Sequence, residues 1–243
     1  MHKMLYYLLN MNGLYHCTTY ESLMRILQSC AFYPSYCLEE ASYLKGNQKF
    51  AFAMVSFADM KRNELKGHMK NFSSNVYIKM DKSWAFRYNI SPVVYYSEKS
   101  TLSNAIFRDM TLHVAQRNFK DDMYNALNLL MGLMKQYKGH YYDKNRKCFS
   151  SNEVCFYLER EWRYIPLVRA NEAYYLSEEA YLDEVYRGEK RQELIDHKFI
   201  LDFGWDDIIE IGAGLKNAAY IVNALACRFG ISRLVAASKV KLI

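Results

Sequence analysis

Residues 159–166 read EREWRYIP, and their chemistry lies in two carboxylates and a guanidinium spaced two positions apart. Side chains alternate along an extended chain, so Glu159, Glu161 and Arg163 share one face, with Arg160, Trp162 and Tyr164 on the other. A glutamate held in a cleft can stabilise a developing cation while Arg163 orients it or binds phosphate. The same spacing also describes a solvated sheet face, where one arginine neutralises two carboxylates and Trp162 is buried. Residue types alone leave both open.

A second constellation stands far away in sequence, in YHCTT at 15–19. His16 and Thr18 fall on one face of a strand and present an imidazole and a hydroxyl to a ligand such as a ribose, although a lone strand histidine more often serves packing. Tyr95 and Tyr96 in NISPVVYY and Asp59 in VSFADM are weaker candidates, with packing and helix capping as their plainer roles. In IGAGL, Gly212 and Gly214 sit where a strand passes into a helix, but Asn217 stands in place of a third glycine, and a simple tight turn is expected. Cys30/Cys37 and Cys148/Cys155 are each seven apart, wider than the two to four residues usual between paired zinc ligands. These cysteines, with Cys17 and Cys227, are expected to be reduced, buried thiols, with no metal bound.

The elements that position these groups follow from periodicity. GLYHCT reads as a strand, ESLMRILQSC as a helix capped by Thr18 or Thr19, and FAFAMVSF as a buried strand followed by a polar helix over 60–70 capped by Asp59. NVYIKM and PVVYYS are strands, with a helical turn at KSWAFRYN between them. The spacing of apolar residues is helical over 99–137, which reads as an inserted lobe. Residues 138–152 form a polar loop. VCFYLERE and WRYIPLV make one long strand or a hairpin, and a helix capped by Ser177 runs through SEEAYLDEVYRGEKRQELI. Strand KFILDF, strand IIEIGAG, a helix over 215–229 and a final strand RLVAASKVKLI complete the chain. Short strands with interspersed helices, outside strict βαβ alternation, indicate an α+β fold, read as a single domain over 1–243 with the 99–137 insertion.

The chain has 243 residues, 51% of them hydrophobic and 24% charged, which suffices for a sizeable core without disulfide or metal. Its formal charge of +6 is spread without a like-charge block, so a nucleic-acid partner is tolerated rather than demanded. MHKMLYYLLNMNG lacks the apolar length and cleavage site of a secretory signal, and no apolar run is long enough for a membrane span, so a cytoplasmic protein with no membrane partner is expected.

Four segments in order, LYHCTTYESLMRILQSCAFYPS, VSFADMKRNELKGHM, NISPVVYY and EREWRYIP, resemble the AbiGi family of bacterial abortive phage-resistance proteins over about residues 13–170, with DDIIEI in keeping. The resemblance implies the antitoxin-side component of a two-gene system, whose partner toxin looks like a nucleotidyltransferase. More distantly, the His-x-Thr strand, the Leu-rich helix and a late strand glutamate resemble ADP-ribosyltransferase-like folds of the DarT type, which implies mixed, mostly antiparallel sheets with flanking helices. Carried over residue by residue, that second resemblance implies NAD as substrate, held by His16 with Thr18 and by Tyr95 or Tyr96, to which the residue reading of EREWRYIP adds Arg163 as a phosphate-binding group. Glu161, and secondarily Glu159, would then assist transfer of ADP-ribose to nucleic acid or protein. Two readings therefore stand: an NAD-dependent transferase, and a non-catalytic antitoxin or phage-sensing component that binds a toxin or a phage component.

Overall fold

The computed structural model describes residues 13–41, 48–97, 100–101, 121–143, 146–167 and 175–243, with backbone only at 121–125 and 127. β1 (Gly13–Thr18) leads into α1 (Tyr20–Ser29), whose first turn is closed by Thr19 Oγ1 accepting from Ser22 N–H at 3.3 Å. α1 buries Leu23 and Leu27 and stops at Cys30, which adopts the left-handed conformation at φ 50°. β2 (Ala31–Phe32), β3 (Ser35–Ala41) and the eleven-residue β4 (Gln48–Ala58) follow. α2 (Arg62–Asn71) starts from Lys61, whose N–H donates to Glu64. Asp59 does not cap this helix as the sequence suggested; its carboxylate accepts from Lys82 Nζ at 2.7 Å.

β5 (Val76–Asp81) passes directly into α3 (Lys82–Arg87), capped by Asp81, and β6 (Ser91–Pro92) and β7 (Val94–Tyr96) come next. Most of the helical stretch expected over 99–137 lies outside the described residues. Its end is α4 (Asp121–Leu133), after which the chain is extended, not helical, in β8 (Met134–Gln136). The expected loop at 138–152 contains β9 (Lys138–Gly139), β10 (Tyr142–Asp143) and β11 (Cys148–Phe149), and β12 (Val154–Cys155) follows. No single long strand spans EREWRYIP. A 3-10 turn at Phe156–Glu159 ends at Arg160 in the left-handed region (φ 43°), and only then does β13 (Glu161–Tyr164) begin.

After β14 (Tyr175–Ser177), the helix expected from Ser177 onward is two: α5 (Glu178–Leu182) and α6 (Glu184–Asp196). Asp183 causes the break, because its Oδ1 accepts from Val185 and Tyr186 N–H at 3.0 Å each and so starts a new helix. β15 (Leu201–Asp202), β16 (Ile208–Ala213), α7 (Leu215–Phe229), α8 (Arg233–Ser238) and β17 (Val240–Leu242) close the chain. Most of the final expected strand is thus α8, nucleated by Ser232 accepting from Val235 N–H.

The fold is α+β, with sheets that are mixed and mostly antiparallel, and it separates into two compact units. The first gathers the described parts of 1–32, 56–90 and 200–243, and the second those of 33–55 and 91–199, so the division falls inside β4, between Val55 and Ser56. In the first unit β5 is central, antiparallel to β1 and β16, while β17 runs parallel to β16. Tyr77, Ile78, Met80 and Trp84 are fully buried there. Gly212 faces Tyr77 so closely that a Cβ would fall 2.0 Å from the ring, and Gly214 precedes α7; the two glycines thus serve packing and the turn into the helix. In the second unit β4 is flanked by β3 and β14, β13 pairs with β6, and β7 runs parallel to β8. Its main cluster joins Tyr36, Leu38, Ala51, Ala53, Leu176, Tyr181 and Leu194.

Candidate functional site: a closed charge cluster on β13

Alternation along β13 places Glu161 and Arg163 on one face, as the spacing requires, but that face is buried rather than solvated. Arg163 is 0% exposed and Glu161 7%, whereas Trp162 and Tyr164 are only partly buried. Glu159 lies on the preceding 3-10 turn, off the strand, yet its carboxylate reaches the same cluster.

The cluster is built around a fork. Arg163 Nε donates to Glu161 Oε1 at 2.9 Å and Nη2 to Glu161 Oε2 at 3.0 Å, a bidentate pair. Nη1 donates to the Gly132 carbonyl at 2.8 Å, and Nη2 also reaches Glu39. Lys135 Nζ donates to Glu161 Oε2 at 2.6 Å and Glu159 Oε2 at 2.9 Å, and lies 4.5 Å from the centre of the Phe156 ring. Tyr95 Oη accepts from Glu161 N–H at 2.8 Å. Three carboxylates, Glu39, Glu159 and Glu161, thus meet two cations, and both oxygens of Glu161 are taken.

The titration behaviour follows from this geometry. Burial alone would raise the Glu161 carboxyl, but Arg163 and Lys135 outweigh it and hold it far below the usual carboxylate range. Glu159 goes the other way, pushed up by burial that Lys135 only partly offsets and by the charge of Glu161. Burial works against the Lys135 ammonium, yet the carboxylates of Glu159, Glu161 and Glu39 hold it well above its ordinary value. At neutral pH the Glu161, Arg163 and Lys135 charges are therefore fixed, which suits a buried structural network better than a group that must change state.

Tyr95 contributes an edge contact to Tyr157, with ring centres 5.4 Å apart, and burial pushes its hydroxyl up to about 12. Tyr96 is buried against Met134. The structure therefore brings Tyr95, Glu159, Glu161 and Arg163 together in the second unit. Sequence reasoning missed Lys135 and Glu39. Lys135 interrupts the apolar run LLMGLMK, and Glu39 alternates with Cys37 in SYCLEEA; both are unmatched charges in apolar settings, which is the signal that marks them.

His16 and Thr18 belong to the first unit. His16 Nδ1 donates to the Ser56 carbonyl at 2.9 Å, which fixes the neutral tautomer with its lone pair on Nε2. Phe32 and Phe57 stand edge-on or tilted to the imidazole at 5.1 and 5.5 Å. Burial in this setting lowers its pKa, with the Ser56 carbonyl opposing. The sign of the linkage is set by the unfolded chain, which takes up a proton below the ordinary value of 6.5 while the folded chain does not. Stability should therefore be flat above that pH and fall as pH drops through it, and His16→Gln should remove that limb of a pH series of denaturant midpoints. An unchanged limb in the variant would refute the assignment.

The comparisons with known proteins bear on the whole arrangement. The model of a family described as "Putative abortive phage resistance protein AbiGi, antitoxin" matches residues 30–212. This chain belongs to the AbiGi family. No curated protein and no solved structure matches it. The AbiGi match contains every residue of the β13 cluster, whereas His16 and Thr18 lie before it. In this AbiGi chain the six cysteines are free but not buried as the sequence suggested, Cys148 and Cys227 being exposed and the other four partly so; among the described residues no group of three or more His, Cys, Asp or Glu side chains could hold a metal ion. No helix among them is long and apolar enough to cross a membrane.

Proposed function

We propose that the chain serves abortive phage resistance as a non-catalytic antitoxin, a protein that binds a partner toxin and restrains it. Family membership supplies the setting. The observation that carries the non-catalytic reading is the closure of the β13 cluster: Glu161 is almost wholly buried and both of its oxygens accept from Arg163 or Lys135, so its charge is committed inside the cluster. A carboxylate so committed holds β13 to its neighbours, which is a scaffold role.

The test is co-expression with the toxin of the same two-gene system. The wild-type chain should restore growth and co-purify with the toxin, and Glu161→Gln, which keeps the shape and removes the charge, should do both whenever it accumulates as folded protein. Labelled NAD offered to the purified chain should leave no label on protein or nucleic acid. Transfer of label by the wild type, lost in Glu161→Gln, would overturn the proposal in favour of the transferase.

A further inference from the structure

Apart from the β13 cluster, the sheet of the first unit holds two polar side chains that are buried along most of their length and whose polar ends, open to solvent, have no bonded partner among the described residues. Strand register sets Tyr15, Lys79 and Glu210 in one row across β1, β5 and β16, so all three project from the same face. Tyr15 is 2% exposed and Lys79 7%. The Lys79 ammonium lies 4.8 Å from the centre of the Tyr15 ring and forms no ion pair among the described residues, and among them the Tyr15 hydroxyl has no hydrogen-bond partner. Neither polar end is sealed from solvent. Glu210, next in the row, accepts from Tyr77 Oη at 2.9 Å instead.

The backbone is tight here: Gly13 stands two residues before Tyr15, and a Cβ there would come 2.5 Å from Ile209 Cδ1, 2.7 Å from the Met80 carbonyl oxygen and 2.8 Å from Lys79 Cε. Above the face packs α2, through Leu65 and Met69, and its first residue brings a second cation. Arg62 is exposed, makes no ion pair among the described residues, and its charge bears on Tyr15, Tyr77 and Lys79 together. Burial of much of the side chain lowers the Lys79 pKa, with Glu210 opposing. An ammonium so placed, with its stem buried and no carboxylate bonded to its head, is open to an anion arriving from solvent.

We propose that Lys79, Arg62 and Tyr15 bind the phosphate group of a ligand. An ammonium, a guanidinium and a hydroxyl supply donors for three oxygens, where a carboxylate offers two. The carboxylate nearest in register, Glu210, is left to Tyr77. Lys82 and Asp59 neutralise each other nearby, so Lys79 and Arg62 against Glu210 leave one positive charge, which matches the single charge of a phosphodiester and offsets about half that of a phosphate monoester at neutral pH. That ester could be a free mononucleotide or a unit of a nucleic-acid backbone.

Calorimetric titration of the full chain at low ionic strength, with inorganic phosphate, a mononucleotide and an oligothymidylate as separate probes, tests the site. Inorganic phosphate should bind saturably at a single site. Lys79→Met should weaken it about tenfold or more, the loss of one charge-assisted hydrogen bond. Arg62→Ala, a change on an exposed helix position, should weaken it severalfold and decides the matter if the Lys79 variant does not fold. A mononucleotide that binds more tightly than the oligomer marks a free ester as the ligand, and the reverse, with a steep salt dependence, marks a strand backbone. Absence of saturable binding to every probe, or wild-type affinity in both variants, would overturn the proposal.

Discussion

Arg163→Met should cost about 3–5 kcal/mol of folding stability, the range for removing one partner from a buried ion pair. Arg163 is fully enclosed, and its loss leaves Glu39, Glu159 and Glu161 facing Lys135 alone while the Gly132 carbonyl loses its donor. Cluster charge falls from −1 to −2 at a largely buried site, where water screens it only weakly. The effect should appear as a lower denaturant midpoint with an unchanged slope. Adding Glu161→Leu to Arg163→Met should recover part of the loss, because it removes the carboxylate left stranded. A single-variant loss below about 1 kcal/mol, the size of an exposed pair, would show that the cluster is open to water.

The second large effect belongs to Trp84, in the short helix that follows β5. Its ring stands 5.6 Å from Phe32, 5.7 Å from Phe57 and 5.5 Å from Tyr88, and its indole N–H donates to the Asp202 carbonyl at 2.9 Å. Trp84→Ala should therefore cost about 3–5 kcal/mol, as large aromatic truncations in cores do. Trp84→Phe should recover most of it and leave the unmet Asp202 carbonyl as the remainder. Equal losses in both variants would place the energy in the hydrogen bond instead of the packing.

How much of this the sequence discloses depends on whether the cause is local. α1, β4, β5 and α7 were legible because their periodicity and caps lie within a dozen residues, as at Thr19 and across FAFAMVSF. Breaks made by a single side chain were missed. Asp183 splits a helix whose apolar pattern runs through it, and Ser232 starts a helix in RLVAAS, whose β-branched and small residues look extended. At the candidate site, alternation paired Glu161 with Arg163 correctly, but it could not supply Lys135 from 26 residues upstream or Glu39 from 124 away from Arg163. Nor does alternation say which face is buried; that depends on what packs against it, and here β13 turned its charged face inward.

The order of strands in the first unit also governs when the protein can exist. β5 needs β16 beside it, and Tyr77 and its partner Glu210 are 133 residues apart. At ordinary rates of synthesis, about 7 to 27 seconds separate the appearance of the two strands on the ribosome. Through that interval β5 presents a bare edge of Val76, Tyr77, Ile78 and Met80, which invites pairing with other chains or capture by a chaperone. Local contacts cannot shorten the wait, because the closing strand has not yet been made. An interruption of translation before β16 therefore leaves the first unit unfinished however much of the chain has been made.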